Sequence, residues 1–288
     1  MSRLRLVLHP HPQSFIDAAM PLLDRHRAGY SGLLAWARAL GAAAAEPNPG
    51  ALLATVEDES RTIGVGLQRA PGPLVIGDSD PHAAAFMARA LGRDDADLPG
   101  VLGGLSSCEA FARAWHTTTG HAHRHRFHLR SYALGADISA MRAPGRVRRA
   151  RTSETDLLAD WMVAFVTEAG VPDDIARVRA STIRRIDAGL LWLWDDHGAR
   201  SLVGIARVDV ATVRVAPVYT PRAHRGRGYA GALVAAVMRR LRKEGTTAIY
   251  LSADMANPVS NRLYLRVGFV PAGDQYHFDF INPPSEAA

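Results

Sequence analysis

The stretch that most limits what this chain can fold into is Val218-Tyr-Thr-Pro-Arg-Ala-His-Arg-Gly-Arg-Gly-Tyr-Ala-Gly231. It follows a run rich in β-branched residues, Thr212 to Tyr219, and leads into a segment whose apolar stripe is Ala230, Leu233, Val234, Val237, Met238 and Leu241. That stripe has helical spacing, so the region reads as strand, glycine-bearing turn and amphipathic helix (Tyr229 to Glu244). Gly245 stands where a helix-ending glycine belongs. Such a turn leaves backbone N–H groups pointing outward, and the helix N-terminus adds partial positive charge. Arg225, Gly226, Arg227 and Gly228 are therefore a candidate cradle for phosphate or pyrophosphate. The spacing is neither that of the P-loop nor that of the dinucleotide-binding turn. The competing reading is a tight turn with solvated arginines.

A second constellation lies further on: Asn257-Pro-Val-Ser-Asn-Arg-Leu-Tyr264, then Gly268-Phe269. Pro258 suits a first helical position, so a short helix from Pro258 to Arg266 is expected after a strand from Ala248 to Ser252. Asn257 would cap that helix, and Tyr264 would stand near its last turn. Taken singly, these are a plain N-cap and a boundary tyrosine with a wet hydroxyl.

The two segments together, R-x-x-G-x-A at Arg225, Gly228 and Ala230 and N-x-x-S-x-x-L-Y-x-x-x-G-F from Asn257 to Phe269, resemble the GNAT superfamily of N-acyltransferases. More narrowly they look like bacterial acetyltransferases built as two fused GNAT-like halves. Arg222 stands where that group often has a second proline. The resemblance implies acetyl-CoA as cosubstrate, a primary amine as acceptor (a small molecule, a peptide or a protein), direct transfer and no metal. By position, it places the pantetheine arm along Val218, Tyr219 and Thr220. It places the pyrophosphate on Arg225, Gly226, Arg227, Gly228, Tyr229 and Ala230. Asn257 would contact the cofactor arm, and Tyr264 would protonate the departing thiolate. The alternative is a catalytically silent acyl-CoA-binding regulatory module. The strand Thr212–Tyr219 contains no Asp or Glu, so a general base is left open among Asp209, Glu168 and Asp254.

The rest of the chain repeats the order once. In the first half, helical signals (Phe15 to Leu23 and Leu33 to Leu40) precede a Pro/Gly-rich break at Glu46 to Gly50. Strand-like runs come next at Ala51 to Val56, Thr62 to Gln68 and Pro73 to Ile76, then helices at Pro81 to Leu91 and Ser107 to Trp115. An extended stretch covers His123 to Leu134. In the second half come helices at Glu154 to Val166 and Asp173 to Ile186, strands at Leu190 to Trp194 and Ser201 to Val208, and a last strand at Gln275 to Phe280. The Pro/Gly/Arg-rich join Ala143 to Arg149 suggests a boundary, giving domains 1–142 and 143–288. The fold class expected is α/β with a mixed sheet, as two tandem GNAT-like domains. The first is degenerate: Gly77-Asp-Ser-Asp-Pro-His holds no R-x-x-G-x-G/A, and Asp78 and Asp80 would repel a pyrophosphate. His121, His123, His125 and His128 read as a polar strand face rather than a metal site.

Composition narrows the class. The 288 residues are 48% hydrophobic and 22% charged, and no run approaches a membrane span. The opening apolar run before His9 and Pro10 is too short for a signal-peptide core. Cys108 is the only cysteine, which excludes an intramolecular disulfide and points to a buried small hydrophobe in a reducing, cytoplasmic setting. Net charge is +6, almost all of it arginine, since Lys243 is the sole lysine. The arginines are spread along the chain rather than gathered on one element, which disfavours nucleic acid. A monomer and a homodimer are both compatible with the sequence.

Overall fold

The structure, a computed structural model, describes residues 4–42, 51–59, 61–77, 79–170 and 174–281. Met1 to Arg3, the Glu46–Gly50 break, Asp78 and Asp173 lie outside them. The chain divides into two compact units: Met1–Ser131 with Asp254–Ala256 and Gly273–Ala288, and Tyr132–Ala253 with Asn257–Ala272. Within the described residues the strands are β1 (Leu4–Leu8), β2 (Ala51–Asp58), β3 (Arg61–Arg69), β4 (Leu74–Ile76), β5 (Gly100–Gly103), β6 (Ala122–Leu134), β7 (Arg146–Arg149), β8 (Leu191–Asp195), β9 (Ala199–Arg207), β10 (Thr212–Tyr219), β11 (Ala248–Asp254) and β12 (Phe269–Ile281). The helices are α1 (Pro12–Leu23), α2 (Arg27–Ala42), α3 (Pro81–Arg93), α4 (Leu105–Thr119), α5 (Thr155–Glu168), α6 (Ile175–Asp187), α7 (Tyr229–Lys243) and α8 (Pro258–Val267).

In the first unit the strands run β1-β2-β3-β4-β5-β12-β6. β2 and β3 form an antiparallel hairpin, and β4 pairs with β5 in parallel through the α3 crossover. The later part of β12 lies antiparallel on β5, with Tyr276 opposite Gly103 and Asp279 opposite Gly100. α3 and α4 supply Met87, Leu91, Phe111 and Trp115 to a core that includes Leu74, Ile76 and Val101 of the sheet. Three strands escape the sequence reading: β1, β5 and β7. β5 is a four-residue Gly-Val-Leu-Gly run, and glycine normally weakens a strand. Here crowding demands it, because a Cβ on Gly103 would stand 2.7 Å from the Ile76 side chain. β7, read as a join, pairs Val147 with Trp194 and Arg149 with Trp192.

The second unit is a three-layer body. α7 covers one face of β8–β11, where Leu233, Val234, Val237 and Met238 meet Val213, Val215, Ile249 and Leu251. α5 and α6 cover the other face, where Leu158, Met162, Val178 and Ile186 meet Leu191, Leu193 and Leu202. The alternation along β8 decides this: Trp192 and Trp194 point to α7, Leu191 and Leu193 to α5 and α6. Each fully buried Leu, Ile or Val side chain contributes about 1.5–3 kcal/mol, so the layers are fixed by this pattern rather than by helix propensity. β10 is parallel to β11 and antiparallel to β9, which puts the strand–turn–helix segment at the centre of the unit.

The histidine-bearing stretch lies at and within β6. His123 and His125 meet the Phe278 ring edge-on, and His121 meets Trp115. They rest on aromatic rings, and His123 is half-buried, so the expected polar face is only partly exposed. Among the described residues no three ligand side chains converge as a metal site would require. Cys108 is buried, its thiol donates to the Tyr276 carbonyl at 3.4 Å, and burial pushes its pKa up.

Candidate active site

The central feature is a gap between two parallel strands. β10 and β11 pair Thr212 with Ala248, Val213 with Ile249 and Arg214 with Tyr250, yet they run on to Tyr219 and Asp254. From Val215 onward, the β10 edge facing β11 has no ladder partner among the described residues. Its other edge stays paired with β9, with a bulge: Val215 lies opposite Ile205 and Val218 opposite Val203. Pro217, in a cis Ala216–Pro217 peptide, brings no N–H to the ladder at this point. A bulge bends a strand and re-aims the residues beyond it. Val218, Tyr219 and Thr220 thus present backbone groups beside the gap.

The turn after β10 supplies the second feature. Arg222–His224 makes one 3-10 turn, and Gly226 and Gly228 then take φ of +78° and +80°. Only glycine adopts these values at little cost. The amides of Gly226, Arg227, Gly228, Tyr229, Ala230 and Gly231 have no acceptor among the described residues. They open α7, which has no side-chain cap. Unpaired donors plus the helix dipole make an anion site. Tyr229 itself is buried, and its hydroxyl donates to Asp196 Oδ2 at 2.6 Å, so its side chain anchors the turn while its amide stays open.

Arg225 does not point freely outward. Its Nε donates to the Thr220 carbonyl at 2.8 Å and its Nη2 to Glu168 Oε2 at 2.6 Å. Glu168 also accepts from the Tyr219 hydroxyl at 3.2 Å, and Arg222 lies 3.6 Å away. The hydrogen bond from Arg225 is the main reason that the Glu168 carboxyl sits below the usual range. Burial, with Glu168 adding to it, raises Tyr219 above an ordinary phenol. Trp161 and Phe165 of α5 pack on the Tyr219 ring at 6.3 and 6.4 Å. This network is not legible in the sequence as a unit: its members lie 51 and 57 residues apart. Thr220 shares a 2.8 Å hydroxyl contact with Ser201. Of the other two carboxylates named as bases, Asp209 accepts from the Ala211 amide at the opposite end of β10, and Asp254 accepts from the Ala256 amide.

Asn257 caps α8 as expected, its side chain accepting from the Ser260 amide at 3.1 Å. The cap uses the oxygen and leaves Nδ2 as a donor. Its carbonyl accepts from Asn261 Nδ2 at 2.7 Å, and Asn261 Oδ1 accepts from the Tyr132 hydroxyl at 2.6 Å. Tyr264 lies inside the core, 7% exposed, with its ring 6.2 Å from Tyr132 and 6.0 Å from Phe269. The boundary position with a wet hydroxyl does not apply. Burial, helped by Tyr132, pushes its pKa up, so the hydroxyl remains protonated at any working pH. That hydroxyl has no hydrogen-bond partner among the described residues.

The first unit repeats the strand–turn–helix, and there the amides of Gly77, Ser79 and Asp80 are filled. After β4, Gly77 N donates to Val65 O at 2.9 Å, Ser79 N to Gly77 O at 2.7 Å, and Asp80 N to Ile63 O at 3.3 Å. The Asp80 side chain caps α3 by accepting from the His82 amide at 2.7 Å.

A sequence model of the acetyltransferase (GNAT) family matches residues 155–269. No curated protein matches the chain. Among solved structures, an acetyltransferase from the GNAT family of Colwellia psychrerythraea superposes with a TM-score of 0.65 over 96% of this chain and 100% of that one, at 9% identity. A GCN5-related N-acetyltransferase from Sphaerobacter thermophilus gives 0.60 over 97% and 96%, at 17% identity. A tandem GNAT protein from the clavulanic acid biosynthesis pathway gives 0.58 over 98% and 100%, at 14% identity. At such identities the likeness is one of fold. It extends over both units.

Proposed function

Residues 155–269 being a domain of the GNAT acetyltransferase family within a tandem GNAT-like fold, we propose that this chain transfers an acetyl group from acetyl-CoA directly to a primary amine. The observation that carries the reading is the run of open amides from Gly226 to Gly231 beside the unpaired edge of β10. The amides suit a pyrophosphate, and a free strand edge suits the amide groups of a pantetheine arm. An extended cofactor that fills both would bring its thioester to Val218–Thr220.

The chemistry then follows from the residues in place. A neutral amine attacks the thioester carbonyl, and a C–N bond forms as negative charge grows on the oxygen. A backbone N–H of the open β10 edge stabilises that charge. When the C–S bond breaks, the electron pair leaves on sulfur and Tyr264 supplies the proton. The nitrogen loses its proton through water to Glu168, the candidate carboxylate that accepts from the Tyr219 hydroxyl of the cofactor edge. Its pairing with Arg225 makes it a modest base. Positioning of the amine against the acyl donor supplies most of the rate. Asn257 Nδ2 contacts the cofactor arm. No metal takes part in this scheme.

We assign cofactor binding to the second unit alone, because in the first unit's turn the amides of Gly77, Ser79 and Asp80 are already paired and Asp80 stands at the helix start. The test is calorimetry with acetyl-CoA, followed by a screen of small amines, peptides and protein lysines for thiol release. Binding of one equivalent with release in the presence of an amine supports the enzyme. Binding without release from any acceptor supports a silent acyl-CoA-binding module instead.

A further inference from the structure

The bulge in β10 turns the Ala216 carbonyl out of the ladder, and a buried carbonyl needs a donor. That donor is Arg185 of α6, whose Nη2 bonds the Ala216 carbonyl and also reaches the Ile205 carbonyl of β9 at 3.3 Å. Room for it exists only because residue 204 is glycine. A Cβ there would run into the Arg185 guanidinium and stand 2.7 Å from the Ala216 oxygen. No carboxylate pairs with Arg185 among the described residues, and burial lowers its pKa to about 10. With no carboxylate to pair with, the half-buried guanidinium has these two carbonyls as its partners.

We propose that Arg185 is a positioning residue for acyl transfer: its guanidinium, seated over Gly204, holds the Ala216 and Ile205 carbonyls and so fixes the bulge that aims Val218–Thr220 at the gap. The proposal rests on the transfer reading above for its kinetic consequence and on the bulge alone for its structural one. Arginine suits the task because both carbonyls are met by one nitrogen, Nη2, held in the plane of a rigid guanidinium, whereas a lysine ammonium sits on a flexible stem and fixes neither direction. A displacement of about 1 Å at a reacting centre can cost about a hundredfold in rate.

Three variants test it. Arg185→Met removes the donors, Arg185→Lys keeps the charge without the rigid plane, and Gly204→Ala leaves the arginine intact while occupying its seat. Arg185→Met and Gly204→Ala should each lower kcat by about ten- to a hundredfold with the Kd for acetyl-CoA within about threefold. Arg185→Lys should recover part of the loss. The amide resonances of Val218 and Tyr219 should shift in both disabling variants, even without substrate. A folded Arg185→Met or Gly204→Ala protein turning over at the wild-type rate would overturn the proposal. So would unmoved Val218 and Tyr219 resonances, or a lysine variant as active as wild type. Should Arg185→Met not fold, Gly204→Ala decides. A wild-type protein with no transferase activity refutes only the transfer reading, because the resonances still report on the clamp.

Discussion

The turn after β4 and the turn after β10 have the same place in the architecture, each opening a helix that crosses to a parallel strand. They differ in where their N–H groups go. After β4 the amides of Gly77, Ser79 and Asp80 find carbonyls, and the Asp80 carboxylate takes the His82 amide. After β10 six consecutive amides, Gly226 to Gly231, find none among the described residues, and two glycines hold the backbone that exposes them. The first turn has spent its polarity on the fold, while the second keeps it available for a ligand. Sheet order and crossover alone cannot distinguish a binding unit from a structural one; the accounting of backbone donors can.

That contrast can be broken most forcefully at Tyr264. Tyr264→Phe keeps the ring's packing and deletes the proton, so kcat should fall by about 10²- to 10⁴-fold with acetyl-CoA affinity and melting temperature nearly unchanged. Wild-type turnover under conditions where chemistry is limiting would reduce Tyr264 to a packing residue. Gly228→Val comes next. A β-branched residue at φ +80° is strained, and its Cβ would stand 3.4 Å from the Arg142 carbonyl oxygen, so the turn that exposes the amides has to shift. The Kd for acetyl-CoA should rise about a hundredfold in calorimetry. Wild-type stoichiometry should be one per chain, and two sites would erase the proposed difference between the turns.

The third experiment uses acid. His277 of β12 is 3% exposed, its Nε2 lies 3.5 Å from Asp279 Oδ1 and its ring packs on Phe127 at 4.5 Å. Burial chiefly, with Arg126 and His125 against it and Asp279 in its favour, lowers its pKa to about 4. The unfolded histidine, near 6.5, then binds more protons than the folded one between those values. Its contribution to stability is full above about pH 6.5 and is lost as pH falls toward 4. Between pH 7 and 4.5 the loss should reach about 2 kcal/mol, read in denaturant melts, and His277→Phe should remove that part of the slope. The smallest effect is at the silent turn: Asp80→Ala forfeits a helix cap worth about 1 kcal/mol and should leave acetyl-CoA affinity untouched. A change in affinity there would mean that the first turn also takes part in binding.

Thr212–Tyr219, Tyr229–Lys243 and Pro258–Val267 are legible in the sequence because near neighbours decide each of them: β-branching, a helical stripe, a proline after a capping asparagine. The gap between β10 and β11 is not legible, since it depends on where pairing stops, and pairing is a property of two strands. The same holds for Glu168, one carboxylate among several until folding places it on Tyr219 and Arg225. Arg185 carries no sequence signal at all. Its meaning resides in a glycine 19 positions away, Gly204, and in a carbonyl 31 away. Taken singly, Tyr264 reads as a boundary residue with a wet hydroxyl, because an eight-residue motif says nothing about the groups that pack over a ring.

The pairing of β12 with β5 has a consequence for how the molecule is made. The first unit needs Tyr276 to Asp279 between β5 and β6, so its sheet cannot close while only its own first 131 residues have left the ribosome. The second unit ends at Ala272, a few residues before the segment that the first unit lacks. The first unit therefore departs from the usual N-to-C order, in which a domain folds as it emerges, and completes together with the second near the end of synthesis. Until translation reaches Asp279, β5 presents an open edge to the crowded cell, and the brevity of that four-residue strand limits the pairing it can offer.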